Sequence, residues 1–361
     1  MIEETKNLVP NKPDIITNNI ECLVFSEGMD PEDAVFGLRN GQFVLVDDDY
    51  QHGQQILEKL KFNIQTEHPQ QDYKEQRKYR SKYREASHQL LVSVINDKIP
   101  LLNAPKIGWL QILYPKHQNF FISYPSIQGL NSSWQWYKKG MKVDVVDIQI
   151  HPYYGVYFPT RFEHLHLFHN WIKRYKGPKE FAFDVGIGSG ILSFILLRHG
   201  FKTVIGTDIN KNAIIGAKRE RSRLGYENRL FLKHGELFAD IEKKSDVIVF
   251  NPPWLIASKE IQFGIDKAIY YKSGLFRRFF DQAEQRLHKN GKLIMLFSNL
   301  GEVTKVNQVH PIKRELMESN RFINHDYHEK PVETGSKRNI SKKWKRLEKV
   351  ELWILKLNPQ K

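Results

Sequence analysis

From residue 181 onward, short apolar runs alternate with stretches of helical periodicity. FAFDVGIG (181–188) is an apolar run opening onto a glycine loop, and ILSFILLRHG (191–200) reads as a helix stopped by Gly200. KTVIGTDI (202–209) is a second strand, followed by the helix NAIIGAKRERSRLG (212–225) closed by Gly225. RLFLKHG and SDVIVFNPPW supply a third and a fourth strand. The helix FRRFFDQAEQRLHKNG, the strand KLIMLFSN, the helix KRELMESNR and the final strand VELWILKL complete the series. Strands separated by helices imply right-handed crossovers and a doubly wound parallel α/β sheet.

The first part of the chain is less regular. Short strands are expected at 20–27 and 42–46, with Asn40-Gly41 in GLRNGQ as a hairpin turn between them. Residues 50–61 show helical spacing. The longest helical candidate is 72–98, whose first half is charged all round with interleaved tyrosines and whose second half, LLVSVI, docks on a core. Paired strands are expected at 107–113 and 120–124, and a strand at 143–150. Trp134, Trp136 and Tyr137 read as core or interdomain packing. The change of pattern near residue 141 predicts two domains: a mixed α/β accessory domain over 1–140, for substrate recognition or as a lid, and an alternating domain over 141–361.

Composition narrows the options. Hydrophobic residues are 40% and charged residues 27%, as in a soluble globular chain. No apolar run reaches the roughly 18 residues needed to span a bilayer, and the polar N-terminus lacks the apolar centre of a secretory signal. A cytoplasmic protein without a membrane partner is expected. Cys22 is the single cysteine, which excludes an intramolecular disulfide and a cysteine-rich zinc site. The net charge of +14 is uneven, −2 over 1–150 and +16 over 151–361. Such a basic domain suits a polyanion, nucleic acid or a ribosome, although a lysine-rich surface alone gives the same count.

Two constellations carry chemistry. The first is Asp184-Val-Gly186-Ile-Gly188-Ser-Gly190, between a strand and a helix. Glycines there bring backbone N–H groups close to a ligand at a helix start. Asp208 ends the next strand, where a carboxylate can accept both ribose hydroxyls of a nucleoside. This pair alone does not separate a nicotinamide cofactor from S-adenosylmethionine. The second is Asn251-Pro252-Pro253-Trp254, directly after the apolar strand DVIVF. The amide oxygen of Asn251 and the carbonyl of Pro252 can accept the hydrogens of a planar amino group, and Trp254 can stack on it. Those are the parts needed to present an amino nitrogen to a methyl donor.

With both constellations in this order, the chain over roughly 150–361 resembles class I S-adenosylmethionine-dependent methyltransferases, in particular their "methyltransferase small" branch. The branch includes glutamine, guanine N2 and adenine N6 methyltransferases acting on release factors and RNA. The resemblance implies a Rossmann-like sheet, with S-adenosylmethionine over Gly186, Gly188 and Gly190. It places the ribose at Asp208 beside Ile209 and the adenine near Glu236 of HGELF. It implies that GVYFPTR closes over the cofactor, making Pro159, Thr160 and Arg161 candidates. NPPW ends in Trp where the branch commonly has Tyr or Phe. Asn251, Pro252 and Trp254 are the expected catalytic residues, with Asp184 at the base of the cofactor loop.

Outside this frame, His164, His166 and His169 share a predicted helix without a carboxylate at ligand spacing, so packing or surface roles and no metal are expected. KRNISKKWKRLEK (337–349), with seven basic residues against one acidic, is a candidate phosphate-gripping arm. The sequence thus points to methylation of an amino nitrogen on RNA, DNA or a translation-related protein. A small-molecule N-methyltransferase and a non-catalytic nucleic-acid-binding scaffold are the alternatives.

Overall fold

The computed structural model describes residues 8–68, 73–159, 162–257, 269–307, 309–332 and 347–360. They form two compact units, one spanning Asn11–Lys138 and the other Lys139–Lys361 together with the described residues up to Pro10. Leu8 packs on the core of the second unit, so the first residues described belong with the C-terminal part of the chain.

The unit Asn11–Lys138 holds a four-stranded sheet of β1 (Leu23–Phe25), β2 (Val44–Val46), β3 (Leu90–Ile95) and β4 (Asn119–Ser123), in that order. Its helices are α1 (Pro31–Arg39), α2 (Tyr50–Glu67), α3 (Tyr73–Ser87), α4 (Trp109–Leu113) and α5 (Tyr124–Lys139). Several expectations are corrected here. β1 and β2 pair in parallel, so Asn40-Gly41 is no hairpin turn. Asn40 instead caps α1, and Gly41, at φ +84°, takes the left-handed position that ends a helix. LLVSVI is β3 rather than the end of a helix, since its apolar run is buried in the sheet. Residues 109–113 are helical, and β4 pairs with β3. Tyr79 of α3 is buried and stacks on Tyr83, while Lys78, Arg80 and Lys82 face solvent. Tyr79 is therefore turned inward, so this stretch is not polar on every face. Trp109, Trp134 and Tyr137 pack together, with centroids 4.6–5.5 Å apart.

The second unit opens with a ribbon of β5 (Met141–Val143) and β6 (Ile148–Ile150), joined by a short 3₁₀ turn, where one strand was expected. After α6 (Glu163–Arg174) come β7 (Phe181–Val185), α7 (Ile191–Arg198), β8 (Thr203–Asp208), α8 (Lys211–Arg223), β9 (Leu230–His234) and β10 (Ser245–Phe250). The small pair β11 (Leu255–Ile256) and β12 (Tyr270–Tyr271) precedes α9 (Leu275–Arg286) and β13 (Leu287–Ser298). α10 (Leu300–Val303), α11 (Pro311–Glu318), β14 (Phe322–Pro331) and β15 (Lys349–Leu357) complete the chain.

The seven-stranded sheet has the order β14-β15-β13-β10-β7-β8-β9, a Rossmann-like class I methyltransferase arrangement. It is mixed rather than all parallel, because β15 runs antiparallel to both β13 and β14. Successive strand residues enter opposite cores. Ala182, Val247, Val249, Ile294 and Leu296 face α6, α7 and α8, whereas Phe183, Ile248, Phe250, Leu293 and Met295 face α9 and α11. Coverage on both faces explains the uninterrupted apolar runs. Phe279 of α9 is fully buried, and its truncation to alanine would cost about 3–5 kcal/mol.

Candidate active site

From β7 the chain runs outward through β8 to β9, then returns to β10 on the other side of β7. The loops leaving β7 and β10 therefore diverge, opening the crevice in which open α/β sheets bind ligands. Register brings the chemistry together, for Val185 pairs with Thr207 on one side and with Phe250 on the other. The next residues on the three strands are Gly186, Asp208 and Asn251. The expected cofactor loop, carboxylate and tetrapeptide thus leave adjacent strands at one sheet edge.

Gly186, Gly188 and Gly190 have φ of +69°, +52° and +85°, a region that side chains with a Cβ rarely adopt. Asp184, fully buried behind this loop, accepts the Ser193 N–H at 2.9 Å and the Ser193 hydroxyl at 2.7 Å through Oδ2. It thereby caps the start of α7. Its Oδ1 has no hydrogen-bond partner among the described residues. Burial, with the Asp208 charge adding to it, outweighs the Ser193 bonds and pushes the carboxyl up to about 7.

Asp208 Oδ2 accepts the Gly188 N–H at 2.9 Å, and its Oδ1 accepts the Asn210 N–H at 2.8 Å. The carboxylate is tied to the glycine loop while each oxygen keeps a lone pair for a further donor. Burial raises its pKa against the pull of these two bonds. Ile209 is exposed, and His234 Nε2 lies 3.1 Å from its carbonyl oxygen. The Gly235 N–H donates to the Asp208 carbonyl at 2.9 Å, which brings HGELF alongside. Glu236 itself is exposed and paired with Arg278.

The segment before α6 lies along the same edge. Asn212 Nδ2 donates to the Tyr154 carbonyl at 2.8 Å and Asn210 Nδ2 to the Gly155 carbonyl at 3.0 Å. A Cβ on Gly188 would sit 3.6 Å from the Tyr157 carbonyl oxygen. Residues 153–157 therefore run beside the glycine loop and the start of α8. Pro159 is buried, and Thr160 and Arg161 lie outside the described residues, as does 337–346 of the basic segment.

At the tetrapeptide, Trp254 Nε1 donates to Asn251 Oδ1 at 3.2 Å. Two residues that no motif marks converge on Trp254. Asn307 Nδ2 donates to the Trp254 carbonyl, and Asn307 Oδ1 accepts the Ile256 N–H, both at 2.9 Å. His164 meets the Trp254 ring edge to face, with centroids 6.2 Å apart. His164 is 4% exposed, and its Nε2 has no hydrogen-bond partner among the described residues. Burial pushes its pKa down to about 4, so the ring is neutral at physiological pH.

Glu302, His310 and Glu351 also approach one another, with ligand atoms within 4.8 Å. His310 is already engaged at both nitrogens. Nδ1 accepts the N–H groups of Ile312 and Lys313 at the start of α11, and Nε2 bonds Glu351 at 2.8 Å. Its chemistry is that of a helix cap.

The methyltransferase small domain family pattern matches residues 167–323. A putative protein N5-glutamine methyltransferase of Methanocaldococcus jannaschii is 33% identical over 138 residues, which are 36% of this chain and 68% of that protein. The ribosomal protein L11 methyltransferase of Alkaliphilus oremlandii is 30% identical over 36% of this chain and 43% of its own length. The ribosomal RNA small subunit methyltransferase C of Alcanivorax borkumensis is 35% identical over 20% of this chain and 21% of its own length. The chain thus spans less than half of the latter two proteins. The family match and the relative covered over 68% of its length show that the chain belongs to the methyltransferase small domain family.

Proposed function

We propose that the crevice between β7 and β10 transfers a methyl group from S-adenosylmethionine to an amino nitrogen on a component of translation, an RNA or a protein. The observation that carries this reading is the pairing of Val185 with Phe250, which sets Asn251 beside the glycine loop. The relatives' names support the target class, as does the +16 charge of residues 151–361. In this reading the unit Asn11–Lys138 serves target recognition.

The residues present suit the donor. Asp208 has lone pairs left for ribose hydroxyls. The left-handed glycines keep side chains away from the path of the loop. The unpartnered Asp184 Oδ1 is an acceptor suited to an ammonium group. When bound, S-adenosylmethionine supplies a methyl carbon already activated by its sulfonium.

The chain's own residues then have to orient the nucleophile. Asn251 Oδ1 and the Pro252 carbonyl accept the two hydrogens of the target amino group, leaving its lone pair directed at the methyl carbon. Pro252 and Pro253 lack N–H groups and hold their φ angles, so the turn presents acceptors rather than donors. Trp254 stacks on the planar group. As the new N–C bond forms, the methyl–sulfur bond breaks with its electron pair going to sulfur, S-adenosylhomocysteine is the leaving group, and the excess proton on nitrogen leaves to solvent; positioning and electrostatics supply the catalysis.

Incubating the protein with methyl-tritiated S-adenosylmethionine and separated RNA, DNA, ribosomal-protein and small-amine fractions tests this. Label in RNA or ribosomal protein supports the reading. Label only in small amines points to a small-molecule N-methyltransferase, and label in no fraction contradicts methyl transfer.

A further inference from the structure

Asn307 lies 53 residues beyond Trp254 in the chain, yet its carboxamide brackets the backbone that follows the tetrapeptide. One amide group donates to the carbonyl of residue 254 and accepts from the N–H of residue 256, each at 2.9 Å. Those two backbone groups are the pair that a neighbouring strand would engage. A single side chain thus does the work of a strand at the point where the sheet ends. The bracket is itself built in. Asn307 is 6% exposed, and its own N–H donates to the Gly301 carbonyl at 3.0 Å. A Cβ on Gly301 would lie 2.2 Å from Asn307 Nδ2, so only glycine at 301 admits the carboxamide. On the far side of the same stretch, Ala257 donates to the Tyr271 carbonyl at 2.7 Å.

We infer that Asn307 is the positioning residue of the target site: it fixes the Trp254 backbone beside Asn251, from which the indole can reach a planar group held there. This rests on the methyl-transfer reading. A carboxamide suits the task because it offers a donor and an acceptor side by side. Aspartate would keep the acceptor for Ile256 but turn a second acceptor towards the Trp254 carbonyl. Alanine would leave both backbone groups without this partner. Asn307 has no part in holding the methyl donor, so its loss should appear in target binding and turnover alone.

The test compares wild type with Asn307→Asp, Asn307→Ala and Gly301→Ala. It uses tritiated S-adenosylmethionine with the fraction that wild type labels, S-adenosylhomocysteine binding, and hydrogen exchange of the peptide spanning 252–257. The expected result is a loss of about tenfold or more in kcat/KM for the target in all three variants. S-adenosylhomocysteine affinity should stay within about twofold of wild type. In Asn307→Ala and Gly301→Ala the Ile256 amide should exchange about tenfold faster. In a Trp254→Ala background, Asn307→Asp should add no further loss, because the ring it positions is gone. An equal further loss in that background, or wild-type kcat/KM in Asn307→Asp, overturns the inference. If wild type labels no fraction, the methyl-transfer reading fails instead, and unchanged Ile256 exchange in Asn307→Ala would still overturn the bracket.

Discussion

The indole N–H of Trp254 lies on Asn251 Oδ1, the oxygen through which a target amino group would be held. The ring that should stack on the target therefore occupies its acceptor when no target is bound. Entry of an amino group exchanges one hydrogen bond for another, and the indole must swing aside or share the oxygen.

Trp254→Phe keeps an aromatic face and removes the internal donor. A neutral hydrogen bond contributes about 0.5–1.5 kcal/mol, so freeing Asn251 Oδ1 should offset part of what the smaller ring loses in stacking. Trp254→Phe is expected to retain transfer, whereas Trp254→Ala should raise KM for the target. Steady-state kinetics on the labelled fraction checks both. A phenylalanine variant as impaired as the alanine variant would show that the indole N–H has a positive role.

Asp208 both clamps the glycine loop and faces the place expected for ribose. Asp208→Ala should weaken S-adenosylhomocysteine binding by about 1.5–3 kcal/mol through loss of charge-assisted bonds. Calorimetric titration measures this. Unchanged affinity would remove Asp208 from the cofactor site, and tight binding of NAD by the wild type would remove S-adenosylmethionine itself.

Asp184 supplies a pH test with two opposite signs. Its carboxyl, pushed up to about 7 by burial, must ionise to receive an ammonium group. S-adenosylhomocysteine affinity should therefore fall as pH drops below about 7, approaching tenfold per unit. Asp184→Asn should flatten that dependence. The stability of the ligand-free protein should move the other way. The folded state binds this proton more tightly than the unfolded chain, so Asp184 favours folding as pH falls from about 7 towards about 3.9. Affinity that is level from pH 8 to pH 5.5 would contradict a role for Asp184 in binding an ammonium group.

His310 tests the support beneath the site. It caps α11, and its buried partner Glu351 also accepts the Trp353 indole N–H at 2.8 Å. Burial alone would raise the Glu351 carboxyl, but the bonds from His310 and Trp353, with Lys313 nearby, hold it below its ordinary value. Removing His310 takes a hydrogen bond worth about 1.5–3 kcal/mol from the buried Glu351 carboxylate and a cap worth about 0.5–2 kcal/mol from α11. His310→Ala should thus lower the unfolding midpoint strongly at neutral pH. The depressed carboxyl favours folding above the unfolded carboxyl pKa of about 4.3 and loses that contribution as pH falls through its folded value, so the gap should narrow in acid. Denaturation at two pH values reads it.

Much of the sheet could be read from sequence because its inner strands are covered on both faces. FAFDV is buried at every residue, as is SDVIVF. β14 escaped notice for the opposite reason, since Phe322 is the single fully buried residue of its ten and its neighbours are mostly polar. Asn40-Gly41 misled because the same dipeptide ends a helix as readily as it turns a hairpin. At the site, Asp184, the glycines, Asp208 and Asn251 are consecutive with strand ends, so linear order reports their neighbourhood. His164 and Asn307 reach Trp254 from α6 and from the stretch after α10, and that proximity exists only after folding.

Transfer of tritium from methyl-labelled S-adenosylmethionine by wild type and Asn251→Ala, with S-adenosylhomocysteine affinity measured on both, bears most directly on the central claim. Label should enter an RNA or ribosomal-protein fraction with wild type. It should fall by about a hundredfold or more in Asn251→Ala, with cofactor affinity nearly unchanged, because the amide acts on the target nitrogen. Wild-type turnover by Asn251→Ala would contradict amino-group transfer at this site.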